Sequence, residues 1–284
     1  MSTPPILNAF SIDVEDYFQV SALAPHFPRQ IWDQQPCRVE RNVDRMLGML
    51  ADSQALATFF TLGWVAERFP DMVKRIVAGG HELASHGYGH QRASDLTPAE
   101  FFDDITRAKK ILEDLGGQAV IGYRAPSFSI GENNLWALDS LGEAGYQYSS
   151  SIYPIHHDHY GMPNAPRFAF RPSDSKTLLE LPATTIRLFN RNLPAAGGGY
   201  FRLLPYQMSR WSINRVNNVD KQACIFYCHP WEIDPEQPRP NGMTLKTRFR
   251  HYLNLGRTES RLRTLLKDFR WGRVDQIFLG KASL

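Results

Sequence analysis
Short apolar runs that end in charged or metal-ligating side chains alternate, along this chain, with stretches of helical periodicity. Leu7 to Asp13 (LNAFSID) reads as a buried strand that delivers carboxylates at its C-terminal end. Val39, Val43, Met46, Leu47 and Leu50 recur at helical spacing, and Ala57 to Leu62 (ATFFTL) is a second strand. Val65, Phe69, Met72, Val73, Ile76 and Val77 mark a second helix, stopped by Gly79-Gly80. His81 to Ser85 is a third strand. Thr97-Pro98-Ala99-Glu100 has the pattern of a capping box with proline at the first helical position, and the helix it opens ends at Gly116-Gly117. Ala119 to Tyr123 is a fourth strand, Asn134 to Ala144 a helix, and Tyr146 to Ile152 another strand. Leu178 to Leu181 and Cys224 to Cys228 are further strand candidates. Such alternation predicts an α/β fold of parallel strands with crossover helices. In these folds chemistry gathers at the C-terminal ends of the strands.

Four chemically suggestive stretches lie at or just beyond such ends. They are Asp13-Val14-Glu15-Asp16, His86 to His90, Arg124-Ala125-Pro126 and Cys228-His229-Pro230-Trp231. His86 and His90 sit four apart around Gly87, Tyr88 and Gly89, so the backbone can turn both imidazoles to one point. Two such imidazoles suit zinc or a similar divalent metal. A carboxylate from 13–16 would be the third ligand, leaving a position open for water. Asp13 suits a general base that stays off the metal, and His229 an acid for the leaving nitrogen. Arg124 would hold Asp13 ionised and in place. Taken singly, each residue has a plainer reading: a solvated turn, a helix cap, a structural ion pair, a core histidine.

The 284 residues are enough for one large or two ordinary domains, and 43% hydrophobic with 21% charged is ordinary globular composition. Cys37, Cys224 and Cys228 are too few for a disulfide scaffold. No run approaches the roughly 18 apolar residues of a membrane span. MSTPPILNAF lacks a basic segment followed by an apolar one, so a cytoplasmic location is expected. The net charge of +3 is uneven: Lys246 to Arg273 holds nine Lys or Arg against two acids, so this stretch carries +7 and the remainder −4. It reads as a solvated helix face that could also make a peripheral, salt-sensitive contact with an anionic membrane; nucleic acid is not expected as a partner. Two helical runs fill Thr244 to Phe269, separated near Gly256, and no linker isolates them. Residues 1–240 therefore form the expected main domain, with 241–284 a helical extension packed on it. Tyr153 to Gly199 is irregular and rich in Pro, Gly, His and Asn, as binding loops are.

SIDVED, GHELASHGYGH, YRAPSFS and FYCHPWE, in this order and spacing, resemble the polysaccharide deacetylases of the NodB-homology type, carbohydrate esterase family four. The resemblance spans roughly residues 7 to 235. YSSSIYPIHHDHYGMP, GGGYFRLLPY and HPWEIDPEQPRP resemble the subgroup found beside bacterial exopolysaccharide and exosortase loci. It implies a distorted (β/α) barrel of about seven parallel strands, a divalent metal, with zinc expected, and removal of N-acetyl groups from a glycan polymer or its lipid-linked precursor. It gives Asp13 the base role, His86 and His90 the metal roles, Arg124 the Asp-orienting role and His229 the acid role. Val14 stands where the family has a second aspartate, so the metal carboxylate is Glu15 or Asp16. The family's usual aspartate-tryptophan motif is absent around YQYSSSIYP. The resemblance also places a backbone N–H just after Pro126 in the oxyanion hole. Pro126, Tyr153, Tyr200 and Trp231, with Phe201, are the candidate sugar contacts, and core packing is the competing role for each aromatic ring. Relatives on this scaffold that cleave small amides or ureides, and an inactive glycan-binding protein, are the alternatives. Oligomeric state is not legible.

Overall fold
The computed structural model describes residues 5–157, 160–172 and 178–280. In chain order the first half runs β1 (Leu7–Val14), α1 (Val39–Asp52), β2 (Thr58–Thr61), α2 (Gly63–Arg68), α3 (Pro70–Ala78), β3 (Glu82–Ser85), α4 (Pro98–Gly116), β4 (Gly122–Tyr123), α5 (Trp136–Glu143) and β5 (Tyr148–Ser149). The second half runs β6 (Leu179–Glu180), β7 (Thr185–Leu188), β8 (Arg191–Pro194), α6 (Gly198–Leu203), α7 (Tyr206–Arg215), β9 (Ile225–Cys228), α8 (Leu245–Tyr252), α9 (Leu255–Asp268), β10 (Arg270–Gly272) and α10 (Val274–Leu279).

Seven parallel strands lie in the order β9-β1-β2-β3-β4-β5-β6 and curl into a half-barrel, as the alternation and the resemblance predict. β1 is central. Ser11 and Ile12 pair with β2 on one edge and β9 on the other. The short β10 adds to the first residues of β1, Leu7 to Ala9. β1 is buried from Asn8 onward, as a strand covered on both faces must be. The amphipathic faces of α1, α3 and α4 pack Val43, Met46, Met72, Ile76, Phe101 and Ile105 against the sheet. The capping box of α4 forms as predicted, with Thr97 and Glu100 exchanging side-chain to backbone hydrogen bonds.

Four local features differ from the sequence reading. The single helix expected from Val65 to Val77 is two helices, broken at Phe69-Pro70. Proline forces the preceding residue out of helical geometry, and Phe69 sits at φ −126°, ψ 59°. The stretch 153–199, read as irregular apart from the strand candidate at Leu178 to Leu181 that forms β6, also contains the antiparallel hairpin β7–β8. The break in the tail falls at Asn254, in the left-handed region at φ +56°, while Gly256 lies inside α9. The tail also returns a strand to the sheet: the Trp271 ring on β10 lies 5.5 Å from Phe10 and 5.9 Å from Phe226. The basic stretch spends part of its charge inside the molecule, since Arg261 donates to the carbonyls of Phe201, Arg202 and Leu204 and Arg273 pairs with Asp275. No described helix is long and apolar enough to cross a membrane.

Candidate metal and catalytic site
The alternation of side chains along a strand explains the spacing of the first two acids. Ser11, Asp13 and Glu15 recur every second residue and so share one face, with Val14 turned into the core between them. β3 ends at Ser85 and hands over to His86 at the same end of the sheet. The loop then doubles back so that His90 returns beside Glu15. Gly87, at φ +75°, makes this turn possible: a Cβ there would strike the Asp104 carboxylate. The same carboxylate, on α4, accepts the Tyr88 N–H at 3.0 Å. His90 itself holds a left-handed backbone at φ +54°, strain of the kind that persists where the surroundings impose it. β4 delivers Arg124, and β9 delivers His229.

Glu15, His86 and His90 each present one ligand atom, and these atoms lie within 4.8 Å of one another. His86 Nδ1 is 2.8 Å from the Arg124 carbonyl, which can only accept, so Nδ1 carries the proton and Nε2 is left as a free donor atom. Oε1 of Glu15 accepts the Trp231 indole N–H at 3.0 Å. His90 Nε2 approaches Oε2 of Glu15 to 2.5 Å, yet Oε2 is a buried atom with no properly directed hydrogen bond. The donor set, two imidazoles and one carboxylate, suits a borderline divalent metal with an open position. Burial works against charge on Glu15, but His90, His229 and His86 outweigh it and hold the carboxyl well below the usual range. Burial lowers His86 to about 4, keeping it neutral as a ligand should be.

Asp13 lies beside this cluster without joining it. Its Oδ1 accepts from Arg124 Nη1 at 2.6 Å, and the same nitrogen donates to Ser11 Oγ at 2.8 Å. Arg124 is buried, fixed by Ser150 and by the Phe60 ring 4.1 Å from its guanidinium carbon. Oδ2 of Asp13 faces His229, whose Nε2 is 3.8 Å from it and 3.7 Å from Glu15 Oε1. On its other side, His229 Nδ1 stands 3.6 Å from Glu232, which is itself paired with the buried Arg202 at 3.0 Å. Burial works to discharge His229, and the carboxylates of Glu232, Glu15 and Asp13 outweigh it, pushing the imidazole up to about 9. A carboxylate and a protonated imidazole thus stand side by side at the edge of the donor set.

The structure brings together Asp13, Glu15, His86, His90, Arg124, His229 and Trp231. Asp16, the other carboxylate considered for the metal, is turned away: it accepts from the backbone N–H groups of Tyr17, Arg38 and Val39 and caps the turn after β1. Pro126 is buried and opens the single turn 126–128 next to Arg124. Tyr153 is wholly buried against Phe128 and Tyr160. Trp231 offers neither face to a sugar, because the rings of His229 and His251 stack on it at 5.2 and 4.4 Å. Tyr200 is half-buried and lines a cleft of about 1080 Å³. The sequence reading passed over Ser11, Asp104, Glu232, Arg202 and His251. Glu232 had a signal, three residues after His229 in HPWE; the others are set by tertiary contacts alone.

The model of one protein family, described as polysaccharide deacetylase, matches residues 30–149, and that of a domain of unknown function, DUF3473, matches 150–279. The segment matched by the deacetylase model holds His86, His90 and Arg124; Asp13 and Glu15 precede it, and His229 lies in the second match. Among curated relatives, a peptidoglycan-N-acetylglucosamine deacetylase of Bacillus cereus is 38% identical over 34% of this chain and 35% of its own length. A peptidoglycan deacetylase of Helicobacter pylori is 32% identical over 42% and 39%. A chitooligosaccharide deacetylase of Bradyrhizobium is 34% identical over 34% and 42%. The chain thus spans well under half the length of these relatives. A crystal structure of a putative polysaccharide deacetylase from Mycobacterium smegmatis superposes with a TM-score of 0.62 at 20% identity, over 98% of this chain and 91% of the other. Puue allantoinase superposes at 0.59 with 16% identity, over 95% and 87%. Both share the fold.

Proposed function
We propose that this chain is a metal-dependent hydrolase that removes N-acetyl groups from an N-acetylated glycan. The observation that carries this reading is the donor set of Glu15, His86 and His90 with Asp13 and His229 beside it. A bound divalent metal would polarise the acetamido carbonyl and lower the pKa of its water. Zinc fits two imidazoles and a carboxylate, and Glu15, not Asp16, is the carboxylate in place to hold it. Oδ2 of Asp13 takes the proton of the attacking water, because Oδ1 is occupied by Arg124. His229 gives a proton to the amine as the C–N bond breaks, releasing acetate, and Glu232 keeps that imidazole charged between turnovers. Arg124 acts through Asp13 as a positioning residue, and the backbone beside Pro126 is the candidate donor to the developing oxyanion.

The names of the relatives support an N-acetylated glycan as substrate. The resemblance of the outer motifs supports a role in bacterial exopolysaccharide synthesis, on a polymer or a lipid-linked precursor. A cytoplasmic location, with a salt-sensitive contact of 246–273 at an anionic membrane face, belongs to the same proposal; the inward-facing Arg261 and Arg273 leave fewer cations for it.

The test is acetate release from N-acetylglucosamine oligomers. Protein stripped by a chelator should lose activity, and zinc or cobalt should restore it. Full activity in the stripped protein would overturn the metal role. Turnover of small ureides alone would replace the glycan with a small amide.

A further inference from the structure
The hairpin β7–β8 forms one wall of the 1080 Å³ cleft, and Tyr200 and the segment around Pro163 form others. This volume is at or above the roughly 300–1,000 Å³ of ordinary small-molecule pockets, so it has room for several sugar units. Pro163 also lines a neighbouring cleft of about 420 Å³ that reaches Arg92 and Phe128. The Phe128 ring lies 4.9 Å from Tyr227, which lies 5.7 Å from His229, and Arg92 follows His90 by two residues. The two clefts thus adjoin at Pro163, and the wall of the smaller one includes Phe128, two ring contacts from His229.

The larger cleft is cationic. Arg167, Arg187 and Arg191 line the larger cleft, and among the described residues no Asp or Glu does. Arg167 is already paired with Asp220 at 3.0 Å. Arg187 and Arg191 are exposed, and among the described residues neither has a carboxylate partner; Arg187 Nη2 donates only to Asn190 Oδ1, at 2.7 Å. In the turn that joins them, Phe189 and Asn190 both have positive φ, 46° and 61°, and Phe189 is 98% exposed. The two-residue hairpin loop requires the positive φ at both positions, and it leaves the Phe189 ring in water at the tip beside the two arginines.

We infer that this cleft holds an anionic group on the same glycan, several sugar units from the acetamido group being cleaved. Guanidinium recognises carboxylate and phosphate alike through paired N–H donors. The ligand is thus an acidic glycan segment, its charge from a uronate or ketal carboxylate or from a phosphate ester. The inference rests on the deacetylase reading for what happens to the acetamido group. A glycan is preferred to a nucleic acid because the relatives of this chain are named for glycan substrates.

Calorimetric titration of the full chain, kept metal-free by chelator, tests it without activity. Four probes are used: a hyaluronan hexasaccharide (alternating N-acetylglucosamine and glucuronate), a chitin hexasaccharide, pyrophosphate as competitor, and a thymidine hexanucleotide. At ~50 mM salt the hyaluronan oligomer should bind at least about tenfold tighter than the chitin oligomer, and ~500 mM salt should erase most of that margin. The double change Arg187→Gln, Arg191→Gln should erase it too, with the thermal melt unchanged, and Arg187→Lys, Arg191→Lys should recover part of it. Displacement by pyrophosphate at low concentration assigns the anion as phosphate; failure to displace assigns carboxylate. Equal binding of the two glycans, no binding of any anion, or equal binding of the thymidine oligomer would overturn the inference. Hyaluronan binding through the two arginines in a protein that deacetylates nothing would remove the catalytic reading and leave this one standing.

Discussion

Trp231 shows how a residue type can be legible while its role is not. An aromatic residue beside a catalytic histidine suggests a sugar platform, and sequence offers no sign that both ring faces are already covered. What the indole contributes is its N–H, which fixes Glu15 Oε1 and leaves Oε2 for the proposed metal. Removing such a supporting hydrogen bond typically weakens metal affinity about 10–100-fold. Trp231→Phe keeps most of the packing and deletes the donor. It should therefore weaken zinc binding by that factor in a chelator competition while the melt stays near wild type. Unchanged affinity would show that Glu15 needs no such support. Asp16 is the complementary case. In the sequence it competes with Glu15 as ligand, and only the strand's two-residue period, which sets Asp13 and Glu15 on one face, separates them.

At the scale of elements, the runs of apolar residues made β1, β2, β3 and β9 legible, since strands buried on both faces are continuous in sequence. The hairpin β7–β8 was not, because RLFNRN is polar and its turn carries Phe-Asn where a tight hairpin favours Asn-Gly. The split between α2 and α3 had a signal in Pro70 that the periodicity on either side concealed. His81, just ahead of β3, carries a consequence for stability. Its ring packs on Phe59, its Nδ1 accepts the Ala57 N–H at 3.2 Å, and burial, with Arg273 nearby, lowers its pKa from 6.5 to about 4. The folded state therefore refuses a proton that the unfolded chain takes up below pH 6.5. Stability should fall as pH drops from 6.5 to about 4, by about 3 kcal/mol from this group, and no further below. His81→Asn should lower the melting temperature at neutral pH through lost packing, yet flatten its decline across that window. An equally steep decline in the variant would assign the effect elsewhere.

Across the whole molecule, the site draws on residues from 11 to 251, and only the fold makes them neighbours. Sequence placed the four motifs at strand ends; it did not show that the tail helps close the barrel. His251 of α8 stacks on Trp231, and β10 sets Trp271 into the core beside Phe10 and Phe226. Trp271 is buried, and its N–H donates to the Leu265 carbonyl at 3.0 Å. Trp271→Ala should cost about 3–5 kcal/mol, read as a fall in the urea midpoint, because it empties a large core site and strands that carbonyl. A loss under 1 kcal/mol would mean that the tail is an appendage.

The central place of β1 bears on how the chain is made. The strand precedes the other strands of the sheet in the chain, and it receives β2 within about fifty residues. Its other edge waits for β9, which ends at Cys228. Until then a nascent chain carries the three ligand residues but neither His229 nor a covered β1, and an open, apolar strand edge is a template for pairing with other chains. Synthesis thus passes through a long interval in which the proposed metal donors are present before the proposed acid His229, and in which the strand that bears Asp13 is the part most in need of a chaperone.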